Sequence, residues 1–329
     1  MDLSLLDDVL AGRGEPRFRA GQIWDWVARG AGSYDEMTNV PSALRAELAD
    51  AVPLSTLTVE REALSSDGTE KALFNTRDGR PVEAVLMRYR DGRRSLCVSS
   101  QSGCPLTCTF CATGQMTFGR NLTASEILDQ ALHFRRKEPV GQLVYMGMGE
   151  PLMNVDAVLE SAERLPDIGI AHRHTTVSTV GWIPGIERMT EPDTPNVRLA
   201  LSVHAADPAL RSELMPVNDR YPLPEVIDAC LRWHAARRRR VYIEYVMLDG
   251  VNDRYEQAAQ LAALLEPATA FKVNLIPYNP TGGDFQGSTR AAIDTFRRTL
   301  LEHGIPATVR LTRGRDIAAA CGQLAAKVA

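Results

Sequence analysis

The sequence predicts an α/β protein built on a parallel β/α barrel, partial or near-closed, preceded by a helical unit and a small antiparallel β extension. Two observations carry this. From LVYMGM onward, short apolar runs of strand character alternate with stretches of helical periodicity, the pattern of a parallel sheet wrapped by helices. Upstream, the hydrophobic period changes from helical to two at about residue 55. The size agrees: 329 residues with 44% hydrophobic and 24% charged side chains match an ordinary soluble chain with a sizeable core.

The start, MDLSLLDDVLAGRGEP, is acidic and lacks the basic and apolar regions of a secretory leader, and no apolar run approaches a membrane span, so a cytoplasmic location is expected. RFRAGQIWDWVARG places Phe18, Ile23, Trp26 and Val27 on one helical stripe, and PSALRAELADAV supplies another helix behind Pro41. These form an expected helical unit over residues 1–52. Over 53–95, the runs EKALFNT, RPVEAVLMRY and RRSLCVSS are separated by Asp78-Gly79 and Asp91-Gly92, which are hairpin turn signals. The expected barrel unit, 96–329, continues with strands at LVYMGM, TTVSTV, VRLALSVHA, VYIEYVML, KVNLIPYN and ATVRLT. Helices are expected over 155–165, near 185, and over 223–236, 255–265 and 290–302. Ligands of such a barrel sit at the C-terminal strand ends.

The formal net charge is −4, and residues 1–50 account for all of it with nine acids and five arginines. That excludes a uniformly basic nucleic-acid coat, so an RNA surface must be a local patch. The candidates are Arg237 to Arg240, the turn RYRDGRR, and Arg310, Arg313 and Arg315.

Six cysteines stand at 97, 104, 108, 111, 230 and 321. Cys230, in LPEVIDACLRWHA, reads as a core thiol. GCPLTCTFCATG holds Cys104, Cys108 and Cys111 as C-x3-C-x2-C, between the strand LCVSS and a helix at LTASEI whose Thr123 and Glu126 form a capping box. Structural zinc takes four ligands, commonly in paired C-x2-C halves. Three isolated thiolates instead suit three irons of a four-iron cluster, leaving one iron open. Gly147, Gly149 and Glu150 in MGMGEPL follow the next strand, and later strand ends carry Ser178, Ser202, His204 and Asn279 in the same register.

The cysteine loop, with aromatic Phe110 before its last Cys, resembles the C-x3-C-x-aromatic-C loop of the radical S-adenosylmethionine (SAM) superfamily. VEAVLM, SSQSGC, NLTASEI, MGMGEPL, EYVMLDGVND, LIPYNP, the entry RFRAGQIWDW, and Cys97 with Cys321 together resemble the RlmN family, adenine-C2 methyltransferases of 23S ribosomal RNA and tRNA. The resemblance implies a [4Fe-4S] cluster on Cys104, Cys108 and Cys111, and SAM lined by Gly149, Glu150, Ser178, Ser202, Val203, His204 and Asn279. It implies Cys321 as methyl carrier, Cys97 as the thiol that resolves the RNA link through a disulfide, and Glu83 as the base. Adenine C2 is electron-poor and its C–H bond has negligible acidity, so a radical route is implied: Cys321 is methylated from one SAM, and a second SAM supplies the radical that activates the methyl group. An external one-electron reductant such as a flavodoxin and a monomeric state are implied as well. The sequence departs from many relatives in stopping at AAKVA, without a basic tail. Alternatives are Cfr-type methylation at adenine C8, a glycyl-radical activating enzyme, which would not need Cys97 or Cys321, and an iron–sulfur electron carrier, which would not need the SAM-facing strand ends.

Overall fold

The computed structural model describes residues 1–325; the last four residues of the expected 96–329 unit lie outside the described residues. Three helices open the chain, α1 (Leu3–Gly12), α2 (Phe18–Arg29) and α3 (Ser42–Ala51). Sequence reading did not single out α1, and of the stripe expected on α2 the structure buries Ile23 and Val27 and packs Trp26 on the core but leaves Phe18 outside. Phe18 is 58% exposed, whereas Trp24 is 6% exposed with its indole N–H donating to Asp167 Oδ2 at 2.7 Å. The buried face of α2 is Ile23, Trp24, Val27 and Ala28. An aromatic in the first turn can be left outside, because the docking surface begins one turn later.

β1 (Leu57–Leu64), β2 (Glu70–Thr76), β3 (Pro81–Arg88) and β4 (Arg94–Val98) pair antiparallel in chain order. The two Asp-Gly turns join β2 to β3 and β3 to β4, with Gly79 and Gly92 at φ 74° and 88°, a backbone region that glycine enters without a Cβ penalty. β1 is an edge strand with a largely exposed, charged surface, so it carries little of the apolar alternation that marks β2 and β3. After β4 come two-residue strands β5 (Gln101–Ser102) and β6 (Arg120–Asn121), which bracket the cysteine loop, and then α4 (Ala124–Arg135). Thr123 and Glu126 form the expected capping box on α4.

The β/α series follows: β7 (Gln142–Tyr145), α5 (Val155–Arg164), β8 (Thr175–Thr179), α6 (Ile183–Thr190), β9 (Arg198–Ser202), α7 (Pro208–Leu214), α8 (Leu223–Arg237), β10 (Val241–Met247), α9 (Tyr255–Leu264), β11 (Phe271–Pro277), α10 (Arg290–Glu302) and β12 (Ala307–Val309). Sequence reading missed α7, one short helix started by Asp207, whose carboxylate accepts from Leu210 N at 2.8 Å, and by Pro208 in the first turn. All ten longer strands form one sheet in the order β1-β2-β3-β4-β7-β8-β9-β10-β11-β12. From β4 to β12 every pairing is parallel. Among the described residues β12 does not pair back to β4, so the barrel is partial. The expected β extension is not a separate layer; it continues the barrel sheet through β4. Cys230 lies fully buried on α8, as a core thiol should.

Candidate active site

One cavity opens at the C-terminal ends of the parallel strands, where the topology predicts a ligand site. Its lining includes Cys97, Cys104, Cys108, Cys111, Gly149, Glu150, Ser178, Ser202, His204, Asn279 and Cys321. Eleven of the thirteen expected site residues, all but Glu83 and Val203, line it, brought together from seven segments of the chain.

The cysteine loop is anchored from several sides. Gly114 packs against the Cys108 backbone so tightly that a Cβ would fall 2.9 Å from its carbonyl oxygen. Thr109 N donates to Leu214 O at 3.1 Å, tying the loop to α7. Burial pushes the Cys104 thiol up to about 12 and raises Cys108 as well, with the neighbouring cysteines adding in the same direction. The donors within 4.8 Å of one another as a metal-type triad, among the described residues, are Glu62, Glu70 and His133, not the three cysteines. Lys137 already bridges Glu62 and Glu70 there, so that group is an ion-pair network. Three thiols lining one cavity, too widely spaced for a single ion, fit a multi-iron cluster better than zinc. Iron binding would take up the thiolate form that burial alone disfavours.

The glycine-rich loop after β7 approaches the segment after β4. A Cβ on Gly147 would lie 2.6 Å from Ser99 Oγ, and one on Gly149, at φ +99°, would lie 2.5 Å from Gln101 Cβ. Gln101 Oε1 accepts from Glu150 N at 2.8 Å, fixing the turn. The Glu150 carboxylate is buried and accepts from Leu152 N and Val180 N, each at 3.0 Å; burial raises it to about 7. It braces two strand-end loops while lining the cavity. His204 sits at φ 59°, accepts from Val246 N at its Nδ1 (3.0 Å) and meets Phe110 edge to face. Burial, assisted by Arg211, lowers it to about 3, so it is a neutral imidazole with its proton on Nε2.

Two expected residues do not line the cavity. Val203 points into the hydrophobic core, and its backbone N and O are used by Glu244 O and Ala205 N. Its neighbours Ser202, at the end of β9, and His204, in the left-handed turn that follows, line the cavity. Glu83, 1% exposed on β3, lies behind the C-terminal segment: Lys71 Nζ is 2.9 Å from its Oε1, and Ala325 N donates to its Oε2 at 3.0 Å.

Cys97 on β4 and Cys321 on the segment after β12 line the same cavity, and all six cysteines are free thiols. Desolvation within the cavity pushes Cys97 up to about 12 and raises Cys321 although its side chain is exposed at the cavity surface, while Arg310 opposes both shifts. Arg310, one of the candidate phosphate contacts, instead reaches inward, 3.3 Å from Met146 Sδ and 3.8 Å from Glu244 Oε2. Arg313 donates to Asp67 O at 2.9 Å and stacks on Tyr89, and Arg315 donates to Asn279 Oδ1 at 3.1 Å. Arg237 serves backbone carbonyls at Met189 and Thr194. These guanidinium groups organise loops, a role that sequence alone cannot separate from phosphate binding. The cysteine loop also meets the segment bearing Cys321: Ala112 N donates to Gly322 O at 2.8 Å, and Asn279 Nδ2 to Cys321 O at 3.2 Å.

Comparison with known proteins agrees with this geometry. Residues 98–262 match the model of the radical SAM superfamily, and residues 1–53 that of the ribosomal RNA large subunit methyltransferase N-terminal domain. The chain is 43% identical to the dual-specificity RNA methyltransferase RlmN of Pelobacter propionicus, covering 100% of this chain and 95% of that one. It is 47% identical to the probable RlmN of Gemmatimonas aurantiaca, covering 98% and 90%. A crystal structure of a radical SAM methyltransferase from Sphaerobacter thermophilus superposes with a TM-score of 0.93 at 45% identity, over 99% of this chain and 98% of that one. Radical SAM proteins use a [4Fe-4S] cluster and SAM, the groups that the cavity's donors fit. With relatives matched along its whole length, the chain belongs to the RlmN family of the radical SAM superfamily.

Proposed function

We propose that this protein methylates C2 of adenine in 23S ribosomal RNA and in tRNA through a methyl-cysteine at position 321. The carrying observation is that Cys97 and Cys321, remote in sequence, line the cavity that also holds the three cysteines of the loop. An activating enzyme or an electron carrier would have no use for the second pair.

Cys104, Cys108 and Cys111 would hold the four-iron cluster, and Gly149, Glu150, Ser178, Ser202, His204 and Asn279 would hold SAM. When bound, these groups supply the one-electron chemistry needed to activate a methyl group toward an aromatic carbon. The chain's own residues handle the rest. Cys321 accepts the methyl group at sulfur, a displacement that needs its thiolate, and Arg310 is the cation placed to favour that form. Glu83 takes the C2 proton, so the carrier segment that now covers it must shift when RNA enters. The Cys97 thiolate then attacks the Cys321 sulfur: the S–CH2 bond to the base breaks, its electron pair goes to the carbon, which takes up a proton to become the methyl group, and a Cys97–Cys321 disulfide is left. Neutral His204 packs against Phe110 and presents an N–H rather than a charge to the cavity.

The target adenine must be unstacked to reach a strand-end cavity, and unpaired adenines cost least to extrude. A flavodoxin-like protein is the proposed reductant and a monomer the proposed state. No helix among the described residues is long and apolar enough to cross a membrane, and a cytoplasmic location accords with RNA substrates. The test is nucleoside mass spectrometry after incubating anaerobically reconstituted protein with SAM, a reductant and unmodified RNA. 2-Methyladenosine is the expected product; 8-methyladenosine would move the protein to the alternative regiochemistry, and no methylated adenosine would sink the proposal.

A further inference from the structure

The segment bearing Cys321 has no regular secondary structure beyond one short turn at Arg315–Ile317, yet a thiol that must meet a methyl donor and then a base has to be held in place. The hairpin between β1 and β2 supplies the hold. Asp67 Oδ2 accepts from Gly314 N at 3.0 Å, Ser65 Oγ donates to Asp316 Oδ1 at 2.5 Å, and Ser66 N donates to Asp316 Oδ2 at 3.1 Å. Gly314 lies so close that a Cβ would fall 2.8 Å from Thr69 Cγ2.

Asn279 and Ala112 hold Cys321 and Gly322 directly, and Lys71, two residues beyond that turn, adds a hold on the flanks of the same loop. Its ammonium donates to Ala318 O at 3.3 Å and pairs with Glu83 Oε1 at 2.9 Å, while Glu83 Oε2 accepts from Ala325 N. The carbonyl of residue 318 and the amide of residue 325, on either side of Cys321, are thereby joined through one ion pair. Ala318 is at φ 50°, a left-handed conformation that is unfavourable for a residue with a Cβ and persists only where its surroundings impose it. Of the 37 basic residues only four are Lys, and one occupies this place, where a compact ammonium can meet a carboxylate and a carbonyl together.

We propose that Lys71 is a positioning residue for methyl transfer: with Glu83 it forms a bracket that holds both ends of the Cys321 loop against the cavity. The proposal rests on Cys321 being the methyl carrier, and its two readouts separate it from that reading. The first is hydrogen exchange on the full chain without RNA or SAM. Lys71→Met should speed exchange in the peptide spanning 313–325 by about 10-fold while leaving α8 and α10 unchanged. Lys71→Arg should restore part of the protection. The second is methylation of Cys321 by SAM in the reconstituted holoenzyme, followed by peptide mass spectrometry. Lys71→Met should lower kcat by about 10-fold with KM for SAM unchanged, because the donor site is intact while the acceptor sulfur is misplaced.

Unchanged exchange and unchanged kcat would overturn the bracket, as would a loss of protection spread through the whole chain, which would make Lys71 a general stability residue. If the unaltered protein never methylates Cys321 while the exchange result holds, the parent reading falls and the bracket stands as a structural clamp alone.

Discussion

The cavity is assembled from two halves that are organised differently. On one side, the three cysteines of the loop lie within eight residues, in a segment whose turns are set by its own glycine and by α7. On the other, Cys97, Cys321 and Arg310 come from β4, the C-terminal segment and the residue after β12, with Glu83 of β3 and Lys71 of β2 behind them. The first half is a local motif, so it survives as a unit wherever its loop is placed. The second exists only when the antiparallel extension and the C-terminal segment have both docked on the barrel. The difference predicts how each half fails: loss of one loop residue should remove a cofactor, whereas loss of one carrier-side residue should leave the cofactors bound and stop a single step.

The largest effect is expected from the loop. Cys104→Ala, Cys108→Ala or Cys111→Ala should abolish the iron chromophore and all RNA methylation, while Cys321→Ala should keep the chromophore and abolish methylation alone. A full cluster in all three loop variants would erase the distinction between the halves. Cys97→Ala should still be methylated at Cys321 and add to RNA, but lacks the thiolate that resolves the link. A covalent protein–RNA species should then survive denaturing gels and reduce on ribonuclease digestion to a nucleotide mass at Cys321; free multiple turnover by this variant would remove Cys97 from the mechanism.

The next effect is on folding. Gly149→Ala would need a left-handed backbone with a Cβ 2.5 Å from Gln101 Cβ, and should cost about 2–4 kcal/mol in urea unfolding. A change below about 0.5 kcal/mol would mean that the glycine-rich loop is free to move.

A smaller, pH-dependent effect comes from His204. Its folded-state value lies near 3 against 6.5 for the free side chain, lowered mainly by burial. Between those values the unfolded chain binds the proton and the folded chain does not, so this group's contribution to stability is complete above about pH 6.5 and is lost as the pH falls. Each unit of that fall costs up to about 1.4 kcal/mol. The apoprotein's loss of stability from pH 7 to pH 5 should therefore be smaller in His204→Gln than in the unaltered chain; equal losses would place the acid sensitivity elsewhere.

The smallest effect is expected at Arg313 and Arg315. Phosphate contacts would make their removal flatten the salt dependence of RNA binding. Both guanidinium groups are committed to Asp67 and Asn279, so the slope for the double Ala variant should change by less than about one, with the cost appearing as faster exchange in the carrier segment. A slope change of two would show that they leave those partners for RNA.

How far each feature was legible follows the same division. The Asp-Gly turns, the capping box at Thr123 and the helix over 290–302 rest on local rules, and the structure has them where the sequence puts them. The place of Phe18 and Trp24 on α2 and the existence of α7 and β1 depend on which surface each element meets. Sequence could not place Arg310, because a guanidinium pattern looks alike whether it faces phosphate or a buried carboxylate. Lys71 carried no signal at all: one lysine in a strand is defined by what packs beside it.

The amino-acid sequence by itself determined the alternating β/α order, the spacing of three thiols in one loop and the family, because propensity, periodicity and ligand spacing are encoded within a few residues of each other. Only the tertiary structure decided that β1–β4 extend the barrel sheet rather than forming a layer of their own, that Val203 turns to the core, and that Glu83 lies beneath the carrier segment. It also decided that Cys321, with no secondary structure to orient it, is held through Lys71. Those outcomes depend on contacts between residues far apart in the chain, whose energies depend on burial and close approach, and neither quantity exists until the chain has folded.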